Sequence, residues 1–242
     1  MTPAPVILVR NLHFQYEDGT VALAGVDFDL GPGETVALLG ANGSGKTTFV
    51  LHLNGLLEGH GQIEVCGLPL KKETLPQIRQ KIGVVFQDPD DQLFMPSVLE
   101  DVAFGALNLG LTPEQATARA RTALAQVGMM YSYDKAPYHL SAGQKKRVAI
   151  AGVLAMQPDV LVLDEPTTFL DPPGQHSLTE LLQGLPQSKL VVTHDVEFAR
   201  SLATRAVFFE KGRIVANGPP DRVIEQYRWD QKTYDTSRRK IV

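Results

Sequence analysis

The chain has one cysteine, Cys66, so no disulfide can close within it, and it fits a reducing compartment. Long apolar runs are also missing. The longest, Val148 to Met156, is about half of the ~18 residues a membrane span needs, and Gly152 interrupts it. Val6 to Val9 is too short for a targeting segment, and Arg10 follows it rather than precedes it. A net charge of -4 leaves no general basic surface, which excludes duplex nucleic acid as the main partner. The six histidines and lone cysteine show no metal-ligand spacing. No internal repeat and no low-complexity segment is present. Any work at a membrane must therefore pass through partners.

What is present is a globular composition, 43% hydrophobic and 21% charged, over 242 residues, enough for one large domain or two lobes. One stretch stands out, Gly40-Ala41-Asn42-Gly43-Ser44-Gly45-Lys46-Thr47-Thr48. It matches G-x-x-x-x-G-K-[ST] in full, between the apolar run Val36 to Leu39 and the helical Phe49 to Leu53. Strand, glycine-rich turn, helix is the context in which such a loop cradles a nucleotide triphosphate. Glycines at 40, 43 and 45 permit backbone angles and close approach that a Cβ blocks. Their N–H groups and the following helix N-terminus point at anionic oxygens. Lys46 supplies a positive charge for the β- and γ-phosphates, and Thr47 a hydroxyl for Mg²⁺.

Along the chain, Val6 to Leu30 alternates apolar and polar residues around Glu17-Asp18-Gly19-Thr20 and predicts an antiparallel hairpin. Gly61 to Val65 predicts a further strand, Leu75 to Lys81 a short helix, and Ile82 to Phe86 a buried strand. Gln87 to Gln92 is acidic and proline-interrupted, hence a loop. Helices follow from Ser97, from Pro113 to about Val127, and from Gly143 to Met156, a contiguous helical insert that suggests two lobes. Val160 to Leu163 and Leu190 to Thr193 predict strands, and Leu178 to Leu185 a helix between them. Ala206 to Phe209 with Gly212 to Ala216 predicts a closing hairpin, Asp221 to Tyr227 a short helix, and the cluster Arg238-Arg239-Lys240 a solvated tail.

Three predicted parallel strands end on polar residues: Gln87, Asp164-Glu165 and His194. A fourth feeds the phosphate loop, and ligands of doubly wound sheets sit at such strand ends. Asp164 follows four apolar residues, where a lone carboxylate is costly and a Mg²⁺ ion relieves the cost. Glu165 is placed to orient or deprotonate a water, which argues for hydrolysis. His194 can hydrogen-bond the γ-phosphate. Leu140-Ser141-Ala142-Gly143-Gln144 opens a helix and forms a second anion site. The chain has no second phosphate loop, so Ser141 and Gly143 are expected to serve the nucleotide of another copy.

Together these residues resemble an ABC-transporter ATPase subunit over nearly the whole chain. Gly40 to Thr48 resembles Walker A, with Gly40, Asn42, Gly43, Ser44, Gly45, Lys46, Thr47 and Thr48 implied to bind nucleotide. Gln87 resembles the Q-loop glutamine, implied to act in catalysis and at the Mg²⁺ ion with Thr47 and Asp164. Leu140 to Gln144 resembles the LSGGQ signature with Ala142 for its first glycine, implying contacts from Ser141, Gly143 and Gln144. Val160 to Asp164 resembles Walker B, followed by Glu165 as the implied base. Leu170-Asp171 resembles the D-loop, with Phe169 bulkier than the family's usual small residue, and His194 the H-loop switch. Tyr16 sits where the family stacks an aromatic on adenine.

The implied fold is α/β: a RecA-like P-loop NTPase core with an antiparallel β subdomain, residues 1–87 and 158–227, and a helical subdomain at about 88–157. Residues 228–242 are then a polar tail. Phe86 to Phe94 and Lys145-Lys146-Arg147 resemble energy-coupling-factor importers of the cobalt and nickel type. That likeness implies ATP and Mg²⁺, a second ATPase subunit in a homodimer or alternatively a heterodimer, and a membrane coupling protein contacted near Gln87 to Phe94, with Asp90, Asp91 and Gln92 foremost. It also implies a peripheral place on the cytoplasmic face of the membrane, and transport of a metal ion or vitamin. The rival readings are another ABC transporter's ATPase, or a soluble ABC ATPase in regulation. A P-loop kinase or GTPase is disfavoured, since no N-K-x-D motif appears.

Overall fold

The computed structural model describes residues 3–229. The tail cluster at 238–240 lies outside them. Two antiparallel strands open the chain, β1 (Ile7–Gln15) and β2 (Val21–Leu30). They join β4 (His60–Val65) and β5 (Leu68–Pro69) in a four-stranded sheet of order β2-β1-β4-β5. The second sheet uses β3 (Thr35–Leu39), β6 (Ile82–Val85), β7 (Val160–Asp164), β8 (Ser188–Val192), β9 (Arg205–Glu210) and β10 (Arg213–Gly218). Its order is β10-β9-β3-β8-β7-β6, parallel except for the β9–β10 hairpin. Strands β3 and β8 are buried at every residue, which explains why they read as unbroken apolar runs rather than alternations.

Helix α1 (Lys46–Leu53) lies between the two sheets. Its Phe49 ring meets Phe28 of one sheet at 5.4 Å and Phe209 of the other at 5.5 Å. One apolar cluster therefore runs through both sheets and α1. Arg205 locks the sheets together at the edge, donating to Glu34 Oε1 at 2.6 Å and to the Asp29 carbonyl at 2.7 Å. The Arg205 bond holds the Glu34 carboxyl below its usual range.

The helical region consists of α3 (Val98–Asn108), α4 (Pro113–Gln126) and α5 (Ala142–Ala155), after the short α2 (Leu75–Lys81). Its core is continuous with the sheet: Val85, Leu161 and Leu163 belong to the same buried cluster as Val102, Leu124 and Ile150. At the contact between α5 and β6, a Cβ on Gly83 would collide with the Val153 side chain. Glycine there lets the helix lie directly on the strand. Helices α6 (Pro172–Gln183), α7 (Val196–Leu202) and α8 (Pro220–Tyr227) complete the chain.

The differences from the sequence reading are local. Helix α6 begins six residues before Leu178, because Asp171 caps it and Pro172 fits its first position. Helix α7 was not expected; seven residues are too few to show a period, but Asp195 accepts from Phe198 N–H and caps it. The 87–92 loop contains a single 3₁₀ turn, Pro89–Asp91. Ser97 caps α3, while α4 carries a reciprocal box between Thr112 and Gln115 that the sequence reading did not single out.

Candidate functional site

The sheet order places the polar strand ends side by side. Strands β3, β8, β7 and β6 are consecutive parallel neighbours, so the phosphate loop, His194, Asp164-Glu165 and Gln87 share one edge. The register carries this through: Leu38 and Asp164 both pair with Val192.

The phosphate loop is held in a backbone shape that only glycine tolerates. Gly40 has φ +141 and Gly45 φ +108, and a Cβ on either would strike a carbonyl, of Phe209 or of Ala22. Lys46 is 7% exposed, and its ammonium donates to the Gly40 carbonyl at 2.7 Å and the Ala41 carbonyl at 3.0 Å. Burial pushes its pKa down, against the pull of Glu165 and Asp164. Ser44 Oγ is buried in the same loop without a hydrogen-bond partner, as a group reserved for an anionic oxygen would be. Asn42, Gly43 and Thr47 are exposed. These features fit a bound triphosphate.

A cation site is equally legible. Thr47 lies beside the Asp164 carboxylate, whose pKa is pushed up by burial and by Glu165, and pulled back by Lys46, Lys146 and the Thr47 hydroxyl. A hydroxyl beside a half-buried carboxylate is a hard-oxygen donor set that fits Mg²⁺. Next to it Glu165 is 9% exposed and has φ +44, a conformation costly for a residue with a side chain. Its Oε2 lies 2.8 Å from His194 Nδ1 and accepts from the His194 N–H at 3.3 Å. The strained backbone and the histidine together aim this carboxylate.

Tyr16 stands at the start of α1, its hydroxyl 2.9 Å from Thr48 Oγ1 and its ring edge-on to Phe14. The ring is 40% exposed, open to a planar partner.

Ser141 and Gly143 are elsewhere. Ser141 caps α5 in a reciprocal box: its Oγ accepts from Gln144 N–H at 3.4 Å, and its own N–H donates to Gln144 Oε1 at 2.9 Å. The Gln144 amide also donates to the Tyr131 hydroxyl at 3.1 Å, so that side chain is spent within the chain. This helix start lines a cleft of about 690 Å³ with Leu170 and Asp171, and no residue of 40–48 reaches it. Asp171 caps α6 through Gly174 N–H at 3.0 Å. Phe169 beside it is 71% exposed at φ +67.

The 87–94 segment corrects one expectation. Gln92 turns inward, its Oε1 accepting from Phe86 N–H at 2.9 Å and its Nε2 donating to the Val84 carbonyl at 3.0 Å. Its amide braces the loop from inside, so both its polar atoms are engaged within the chain. Asp90 pairs with Lys145 at 2.7 Å, while Phe94 is 62% exposed. Two residues have a structural role that the sequence did not assign to them. Asp101 is buried and accepts from the Phe94 and Met95 N–H groups at 3.0 and 2.9 Å. Lys146 is 1% exposed and donates to the Gln87 carbonyl at 2.5 Å. The signal for Lys146 was its helical spacing with Ile150 and Val153, a cation on the buried face.

Among the described residues no helix is long and apolar enough to cross a membrane. Comparison with known proteins agrees with the geometry. Residues 23–168 match the ABC transporter family model. An energy-coupling factor transporter ATP-binding protein, EcfA of Methanocaldococcus jannaschii, is 47% identical over 224 residues, covering 90% of this chain and 80% of the relative. The structure of cbiO1 from Clostridium perfringens, described as part of the ABC transporter complex cbiONQ, aligns with TM-score 0.83 at 39% identity, covering 93% of this chain and 92% of the other. An ATP-binding cassette solved as a dimer in a post-hydrolysis state with ADP and Pi aligns with TM-score 0.79 at 28% identity, covering 88% and 98%. The chain belongs to the ABC transporter family, as an ATP-binding and ATP-hydrolysing subunit that works with Mg²⁺.

Proposed function

We propose that this chain is the ATPase subunit of an energy-coupling-factor importer and powers uptake of cobalt, nickel or a vitamin through membrane partners. The likeness to EcfA and to cbiO1 supports the importer class. The loop 86–94, with its exposed Phe94, is the surface offered to a membrane coupling protein on the cytoplasmic face. Residues 1–87 and 158–227 form the core and β subdomain, and 88–157 the helical subdomain.

The chemistry follows from the shared edge. Gly40, Gly43, Gly45, Ser44 and Lys46 bind the phosphates, with Lys46 leaving the Gly40 and Ala41 carbonyls for the β- and γ-oxygens. Thr47, Asp164 and Gln87 would hold Mg²⁺, which would supply charge neutralisation at the phosphates. Glu165 takes the proton of the attacking water on its carboxylate, and His194 fixes that carboxylate and senses the γ-phosphate. Tyr16 stacks on the adenine. Ser141 and Gly143 close over the nucleotide of a second copy, and Asp171 lies at the same seam.

One observation carries the assignment: Glu165 Oε2 and His194 Nδ1 are 2.8 Å apart, on strand ends adjacent to the phosphate loop. The decisive experiment is Glu165→Gln. It should bind ATP as tightly as the parent, lose at least about a hundredfold in turnover, and accumulate as an ATP-bound dimer by light scattering. Full turnover would refute the base. Uptake of radiolabelled cobalt, nickel or vitamin in cells with and without the gene tests the importer class. No change in any of the three uptakes would count against it.

A further inference from the structure

Three consecutive cations follow the capped start of α5, and each ties the helix to a different element. Lys145 pairs with Asp90 at 2.7 Å. Lys146 Nζ donates to the carbonyls of Gln87 at 2.5 Å and Phe86 at 3.4 Å. Arg147 donates to the Val127 carbonyl at 2.7 Å and to Ser177 Oγ at 2.6 Å. Lys145 and Arg147 are only half-buried, whereas Lys146 is shut away from solvent.

A buried ammonium is unfavourable unless something specific needs it. Burial pushes the Lys146 pKa down, with Asp88 and Asp164 opposing. Its hydrogen bonds go to two main-chain carbonyls, at the point where β6 gives way to the Gln87 loop. Filling the volume does not explain the charge, since a methionine would fill it more cheaply. A donor reaching those two carbonyls does. The helix between Ser141 and Lys146 is unbroken. A displacement of residues 86–87 therefore has no flexible joint to absorb it before Ser141.

We propose that Lys146 is a positioning residue that ties the Gln87 loop to the signature helix, so that Gln87 and Ser141 move as one body. Gln87 faces the chain's own nucleotide, and Ser141 faces its partner's. The inference rests on the reading that Ser141 serves the second copy. In the dimer it makes each site's occupancy set the position of the residue that closes the other site, which gives turnover its cooperativity.

The test uses Lys146→Met in the full chain, which keeps the stem and deletes the donor. Nucleotide binding to the monomer should stay within about twofold of the parent, because the phosphate loop is untouched. The kcat should fall about tenfold, the loss of one charge-assisted hydrogen bond, and the Hill coefficient for ATP should drop toward one. In a Gln87→Ala background the same substitution should cost less than about twofold more. Equal cost in both backgrounds, or an unchanged Hill coefficient, overturns the proposal. If the methionine variant does not fold, Lys146→Gln is too short to bridge both carbonyls and carries the same expectations. A mixed dimer with Ser141→Arg in one protomer separates the two failures. If that protomer silences its own nucleotide, the cross-site reading has failed; if it silences its partner's while Lys146→Met behaves as the parent, only the tether has failed.

Discussion

Two helix N-termini in this protein are assigned to phosphate under the proposed function, and they are built differently. At α1 the N-cap is Gly45 at φ +108 with no side-chain cap, and the preceding loop holds a buried cation and an orphaned hydroxyl. At α5 the N-cap is Ser141 in ordinary extended geometry, closed by a reciprocal box with Gln144. The first site spends backbone strain to leave its donors free. The second satisfies part of its donor set internally and leaves the first N–H groups, of Ala142 and Gly143, for a ligand. A site of the first kind binds on its own. A site of the second kind adds to an anion that something else already holds. That asymmetry suits a clamp in which each nucleotide is captured by one chain and closed upon by another.

The comparison predicts very different losses at the two sites. Lys46→Ala should be the most damaging for binding. It removes the buried cation and leaves the Gly40 and Ala41 carbonyls without their donor. ATP affinity of the monomer should fall by roughly 10–100-fold, the value of a hydrogen bond to a charged group. Titration calorimetry on the monomer reads this directly, and an unchanged Kd would break the assignment of α1 as the capturing site. ADP should suffer less than ATP, because the γ-phosphate is gone.

Ser141→Ala should act the other way round. ATP affinity of the monomer should not move. The lost cap should cost about 1 kcal/mol of stability, a drop of roughly 2–4 °C in Tm for a chain of this size. Turnover should fall in the dimer regime only. Differential scanning fluorimetry and turnover against protein concentration check both halves. A fall in monomer affinity would make the two helix starts equivalent and end the comparison.

The two sites were also unequally legible in the sequence. The phosphate loop was visible because its function demands glycine at fixed spacing, and glycine is required whether or not the neighbours are known. Asp164 was visible as a carboxylate ending an apolar run. Lys146 and Asp101 were given no structural role, and Gln92 was expected at a partner surface rather than bracing its own loop. Their work is to hold main-chain groups 59, 6 and 7 residues away, and although helical spacing puts the Lys146 cation on a buried face, nothing local marks which carbonyl or N–H each side chain serves. Gln92 read as an exposed loop residue because polar loop residues usually are exposed. Its inward turn depends on the unpaired Val84 carbonyl and Phe86 N–H at the end of edge strand β6, a tertiary fact. The fold was easier. The fully apolar runs, the glycine-bounded turns and the caps are local signals, and of the helices α1 to α8 only α7, too short to show a period, escaped them, as did the two-residue strand β5.

The smallest expected effect lies at the far end of α1, where the capturing helix buries a histidine. His52 is 0% exposed, and its Nδ1 is 2.7 Å from the Thr48 carbonyl while Nε2 has no partner. A carbonyl only accepts, so Nδ1 carries the proton and the ring is neutral. Burial pushes its pKa below the ordinary 6.5, with the Thr48 bond opposing. The sign follows from proton counting. Below 6.5 the unfolded chain binds a proton at this ring that the folded chain does not, so stability falls as the pH drops toward the depressed value. Above 6.5 the ring is neutral in both states and contributes no slope. His52→Leu should lower Tm at neutral pH through lost packing against Phe14, yet flatten the fall in Tm between about pH 6.5 and 5. The comparison sharpens if nucleotide affinity in the parent weakens over the same window, since His52 sits one turn beyond Thr48. Parallel Tm–pH curves for parent and variant would remove His52 from the account and leave the strained loop as the only cost of keeping α1 open.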